Sequence, residues 1–134
     1  MRSLFFVFFL LISMKASAPD LELIFLREAE PADGFDNLIR AVLQVECGGN
    51  FMAYNAKEEA TGPLQIRPIR LKDYNRRTGS SHRLEECYDL AVSKKIFLYY
   101  ARKTGYPDFE KIAKAWNGSG RLTIEYWKKV KKYL

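Results

Sequence analysis

One carboxylate in this chain stands where it could handle a proton. In the stretch from Asp36 to Asn50, DNLIRAVLQVECGGN, the residues Leu38, Ile39, Val42, Leu43 and Val45 recur at the steps of a helix, and Glu46 follows Ile39 by seven, Val42 by four and Leu43 by three. Glu46 therefore falls on or beside the apolar face. A carboxylate placed there loses hydration, which penalises its charged form and raises its pKa, so it can hold a proton near neutral pH and deliver it as a general acid. Gly48 and Gly49 occupy the positions where a left-handed residue closes a helix, so the acid projects from the last turn toward the segment beyond the glycines. For a lone glutamate an ordinary, partly exposed place at a helix end is the commoner arrangement, and the choice rests on the rest of the chain.

Two amide-bearing segments and two thiols are the next groups of interest. In GPLQI, Gly62 permits close backbone approach to a ligand, Gln65 offers an amide that both donates and accepts, and Leu64 and Ile66 anchor the segment in the core. In AWNGSG, Asn117 sits where a helix breaks, flanked by Trp116 and Gly118, which exposes an amide beside an aromatic plane. Carbohydrate sites use that pairing for amide or hydroxyl contacts and for apolar sugar faces. Cys47 and Cys87 are the only cysteines. A bridge between them is expected in oxidising conditions, with two thiols as the alternative; it would close a loop of about 41 residues, worth roughly 4 kcal/mol in the chain-entropy model. A nucleophilic Cys47 would need a base, and the single His82 lies in a polar loop without an Asn or Asp partner pattern, so it reads as a solvent-exposed loop residue with no role. No motif calls for a metal or another cofactor.

The elements that must position these groups can be read from periodicity and caps. Asp33 or Asp36 can cap the first helix, which runs to about Cys47. GGNFMAYNAKEEATG has no helical stripe and reads as irregular or hairpin-like. Pro68 starts a second helix that Gly79 ends, and a longer one runs from about Glu85 or Asp89 to Lys103, with Leu90, Ala91, Ile96, Phe97, Tyr99, Tyr100 and Ala101 as its apolar face. Pro107 and Asp108 open another, carrying Phe109, Ile112, Ala113 and Trp116 at core spacing. The last, TIEYWKKVKKYL, places Ile124, Trp127, Val130 and Leu134 on one face. Arg121, Lys128, Lys129, Lys131 and Lys132 fall largely off that face, as in a closing core helix with a solvated basic side rather than a membrane-surface helix. The fold class is mainly α, with a short irregular or β-hairpin segment beside the first helix.

Length and charge set the bounds. A chain of 134 residues has room for one domain and one core. Its beginning, MRSLFFVFFLLISMKASA, has one arginine, an apolar run too short to span a bilayer comfortably, and small residues at Ala16 and Ala18, the pattern of a secretory signal over residues 1–18. The cut would leave Pro19 first, so its position stays open, with an uncleaved anchor as the alternative. Residues 19–34 read as an extension packed on the domain at 35–134. Removing 1–18 takes away Arg2 and Lys15 and no acid, which lowers the formal charge from +6 to +4. A mildly basic exported domain suits a polyanionic cell envelope, and export argues against nucleic acid.

The order Glu46 with GGN, then GPLQI, then AWNGSG, then a helix with Tyr126, resembles the lysozyme-like superfamily, specifically lytic transglycosylases with the soluble-lytic-transglycosylase domain and their goose-type lysozyme relatives. The resemblance spans roughly residues 35–133. The family pattern is a catalytic Glu followed by Ser and usually Gly-x-Asn, a GLMQI block, an AYNAG block and a late Tyr. It implies Glu46 as catalytic acid, Gln65 and Asn117 as cleft-lining amides, Trp116 beside them, and Tyr126 near the acid. Cys47 replaces the family Ser, Pro63 and Leu64 replace Leu and Met, and Trp116 and Ser119 replace Tyr and Gly. The implied fold is α+β lysozyme-like, and the implied substrate is peptidoglycan, cut between N-acetylmuramic acid and N-acetylglucosamine by a periplasmic or secreted monomer without a cofactor. One matching carboxylate fits a transglycosylase that forms 1,6-anhydromuramoyl ends. Hydrolysis by water, and a non-catalytic peptidoglycan-binding envelope protein, are the alternatives.

Overall fold

Apolar residues at helical spacing bury a stripe of the first helix, and every later helix is laid down against that stripe or its neighbours. The computed structural model describes residues 34–134. The expected signal sequence, its expected cut and nearly all of the 19–34 extension lie outside the described residues. Helix α1, Asp36–Glu46, buries Leu38, Ile39, Ala41, Val42 and Leu43. Its N-cap is Phe35, without a side-chain cap bond; Asp36 is instead the acidic residue of the first turn, where a negative charge meets the positive end of the helix dipole. Gly48, at φ +56, takes the left-handed conformation, and its N–H donates to the carbonyls of Gln44 and Leu43.

The glycine- and asparagine-rich segment folds as a minimal hairpin. Strands β1, Tyr54–Asn55, and β2, Ala60–Thr61, pair antiparallel, with Tyr54 opposite Thr61. Thr61 then exchanges two 3.0 Å backbone hydrogen bonds with Ile66, so the hairpin folds back onto GPLQI. Helix α2, Pro68–Thr78, starts on Pro68 and stops at Gly79 with φ +71. Of the two starts expected for the long helix, Glu85 and Asp89, the fold uses Asp89. A 3-10 turn, Leu84–Tyr88, precedes helix α3, Leu90–Thr104, because Asp89 takes an extended backbone and accepts from the Ala91 N–H at 2.7 Å. Asp108 caps helix α4, Phe109–Asn117, by accepting from the Lys111 N–H at 2.9 Å, and helix α5, Leu122–Lys131, closes the chain. The architecture is mainly α with one small antiparallel hairpin.

Helices α3 and α4 pack together, the ring of Phe97 standing edge-on to Trp116 at 4.9 Å, and α5 packs on both α4 and α1. The face of α5 differs in part from the one expected: Val130 is buried and Trp127 packs half-buried against the core, but Ile124 and Leu134 do not. Thr123, Tyr126 and Val130 are buried, whereas Ile124 and Leu134 are each 46% exposed. The buried Tyr126 ring takes the place of Ile124 on this face, and its bond to Glu46 adds to that burial. His82 is also not a solvent-exposed loop residue. Its ring is half-buried and stacked on Tyr74 at 6.2 Å, and its backbone is held by the Asn75 side-chain amide, which donates to the His82 carbonyl at 2.8 Å and accepts from the His82 N–H at 3.2 Å. No disulfide joins Cys47 to Cys87. Cys87 is wholly enclosed as a small core residue, with its thiol pushed up to about 11 by burial and then by Glu86 and Glu85, while Cys47 is half-buried where α1 ends. Among the described residues no helix is long and apolar enough to cross a membrane.

Candidate active site

Glu46 is the last residue of α1 and continues its buried face, so the helix that supplies the core also delivers the acid to the core's edge. Tyr126, itself buried, comes from α5 eighty residues later and donates its hydroxyl to Glu46 Oε1 at 2.7 Å. The Glu46 carboxyl is raised from 4.5 to about 7. Burial is the main cause and the exposed Glu58 adds to it, against the Tyr126 bond and the positive charges of Arg67 and Arg70. At neutral pH it is thus poised between acid and base. Tyr126 has its own ionisation pushed well above the usual range by burial and by Glu46, so its hydroxyl stays a donor.

Neither of the two amides bonds to the acid. Gln65, half-buried, sits at φ +52, a left-handed conformation that costs a non-glycine residue energy and has to be held by its surroundings. Its Nε2 donates to the Gly62 carbonyl at 2.9 Å and to the Ala53 carbonyl at 3.2 Å, which fastens GPLQI to the hairpin. Gly62 itself serves close approach to the chain rather than to a ligand. At φ +81, a Cβ there would stand 2.0 Å from the Cys87 carbonyl oxygen. Asn117, half-buried, ends α4, and its backbone carbonyl accepts from Arg67 Nη2 at 2.9 Å.

Trp116 does not offer an exposed aromatic plane. It is 5% exposed, because one face is covered by the Arg70 guanidinium at 4.2 Å and Phe97 packs against the ring. A tryptophan one residue before the end of an amphipathic helix, at the same spacing as Ile112 and Ala113, belongs to the core stripe. It braces the site from below and does not line it.

Two arginines that no sequence motif singles out complete the site. Arg67 is the N-cap of α2 and Arg70 lies in its first turn, an unfavourable place for positive charge on the helix's own account. Both are turned onto the C-terminal carbonyls of α4, the negative end of a second helix. Arg67 reaches Asn117, and Arg70 Nη2 reaches the Trp116 carbonyl at 2.9 Å and that of Ala115 at 3.5 Å. QIRPIR carries this pair at a spacing of one helical turn, the only trace of it in the sequence. Asp73, one turn further on, is fully engaged. Arg76, Arg77 and the Tyr100 hydroxyl all donate to it and hold it far below the usual carboxylate range. Neither it nor the exposed Glu59 stands as a partner to Glu46. No protein-family model matches the chain, and neither curated proteins nor solved structures give a match.

Proposed function

We propose that this protein is an exported peptidoglycan lytic transglycosylase of lysozyme-like fold, with Glu46 as its acid and base. The observation that carries the reading is a half-buried carboxyl, raised to about 7, with a tyrosine hydroxyl on one oxygen. Glu46 gives its proton to the glycosidic oxygen between N-acetylmuramic acid and N-acetylglucosamine as that bond breaks. The substrate's acetamido oxygen holds the positive carbon that results. The Glu46 carboxylate then takes the proton of the muramoyl 6-hydroxyl, whose oxygen closes the 1,6-anhydro ring, and the acid is restored. This route needs one carboxylate, and Glu46 is the only carboxylic acid of the described residues with a raised pKa. Tyr126 steadies the Glu46 carboxylate between the two transfers, since its bond favours the charged form.

Purified protein incubated with peptidoglycan is expected to release muropeptides with anhydro ends, read by mass. Products heavier by one water would instead make the protein a hydrolase, with Glu58 the first residue to test as the group activating that water. Release that is absent, or equal in Glu46→Gln, removes both enzymatic readings; binding to the wall without turnover would then leave an envelope-binding protein.

A further inference from the structure

Arg67 and Arg70, whose charges act on Glu46, line an open groove of about 390 Å³ together with Ile69, Asp73, Tyr100 and Ala115. Its character is set by the two arginines. Among the described residues no carboxylate comes within ion-pair distance of either, and the bonds they make go to the neutral carbonyls of Ala115, Trp116 and Asn117 through one nitrogen each. The half charge of about −0.5 at the end of α4 is matched by about +0.5 at the start of α2, so the helix dipoles leave the pair's two positive charges uncancelled. Asp73 shares the groove, but its oxygens are taken by Arg76, Arg77 and Tyr100. The two charges also repel each other, and Arg70 is partly desolvated; both effects favour an anion arriving to pair with them. Ile69, 77% exposed, adds an apolar wall.

We propose that this groove is a subsite for the free carboxylates of the peptide borne by the muramoyl sugar at the bond that is cut. The inference rests on the glycan-cleaving reading of Glu46. The sugars of that polymer are neutral, and its anionic groups lie on the peptide attached to the muramoyl lactyl ether. Arg67 and Arg70 are close enough to Glu46 to act on its charge, which puts them within reach of a peptide borne by a sugar held there. A guanidinium with nitrogens to spare is suited to gripping a carboxylate in a fork.

The test titrates the full-length protein with a soluble disaccharide-peptide carrying free carboxylates and with the same compound after conversion of its carboxylates to methylamides. The free form is expected to bind about tenfold more tightly at low ionic strength, a margin typical of a charge-assisted contact, and to lose most of that margin in high salt. In Arg67→Gln and Arg70→Gln the ratio falls toward one, while Arg67→Lys keeps part of it. Equal affinity for the two compounds, or a full ratio in both glutamine variants, overturns the subsite. Should Arg70→Gln fail to fold once its stack on Trp116 is gone, the comparison of ligands on the native protein decides alone. Turnover of peptide-free glycan is scored separately. Its loss with the ratio intact removes the catalytic reading only, and a ratio of one with turnover intact removes the subsite only.

Discussion

Glu46 and Tyr126 form the smallest unit whose chemistry can be examined. Burial pushes the carboxyl up while the tyrosine hydroxyl pulls it down, so the two effects are separable by mutation. In the proposed mechanism protonated Glu46 is the form that cleaves, and activity should therefore fall as pH rises through about 7. Tyr126→Phe removes the opposing bond and leaves the burial, which raises the Glu46 pKa further. The descending limb of kcat/KM against pH is expected to move to higher pH in that variant, with a lower maximum because the carboxylate loses its donor. A limb that stays in place, or moves down, would mean that Tyr126 does not act on the ionising group. Such a profile separates a positioning tyrosine from one that merely fills space, since a packing loss lowers the rate without moving the limb.

At the scale of elements, the site is assembled by turns and caps more than by long contacts. Gly62 lets the turn after the hairpin pass against the 3-10 turn at Cys87. Gly62→Ala would bring a methyl into a main-chain carbonyl that cannot yield and would also force φ +81 on an alanine; a loss of about 3 kcal/mol or more in urea unfolding is expected. Asp108→Ala should cost about 1 kcal/mol, the usual worth of an N-cap, and should leave the rest of α4 in place. Such positions were legible in the sequence because a cap or a left-handed glycine is a local requirement: Pro68, Gly79, Asp108 and the glycines after Glu46 each mark a boundary that the fold respects. Glu46 was legible as well, since helical spacing alone puts it beside Val42 and Leu43. So was the start of α3, where Asp89 is a local cap. The rotation of α5 was not, because Tyr126, the residue that turns inward, meets a partner eighty residues away. The Arg67 and Arg70 contacts were hidden for another reason. Their partners are backbone carbonyls 45 to 50 residues away, and a carbonyl has no residue type.

For the molecule as a whole, the proposed acid has a thermodynamic consequence that does not depend on any substrate. The folded chain holds the Glu46 proton up to about pH 7, whereas an unfolded chain releases it near 4.5, so between those values the folded state binds the extra proton. The stability tied to that proton is full below about 4.5 and is lost as pH rises through about 7. Above it a charged carboxylate remains buried between α1 and α5, relieved only in part by Tyr126 and the two arginines. Glu46→Gln mimics the protonated side chain and keeps an oxygen for the Tyr126 hydroxyl. The variant is expected to match the wild type in stability at pH 4 and to exceed it by about 1–3 kcal/mol at pH 8.5, as judged by thermal or urea unfolding at the two pH values. A catalytically dead variant that is more stable only on the alkaline side would show that the fold bears a standing cost to keep this acid in place. Equal stability at both pH values would mean that Glu46 ionises as an ordinary surface glutamate, and a proton held for the glycosidic oxygen would lose its physical basis.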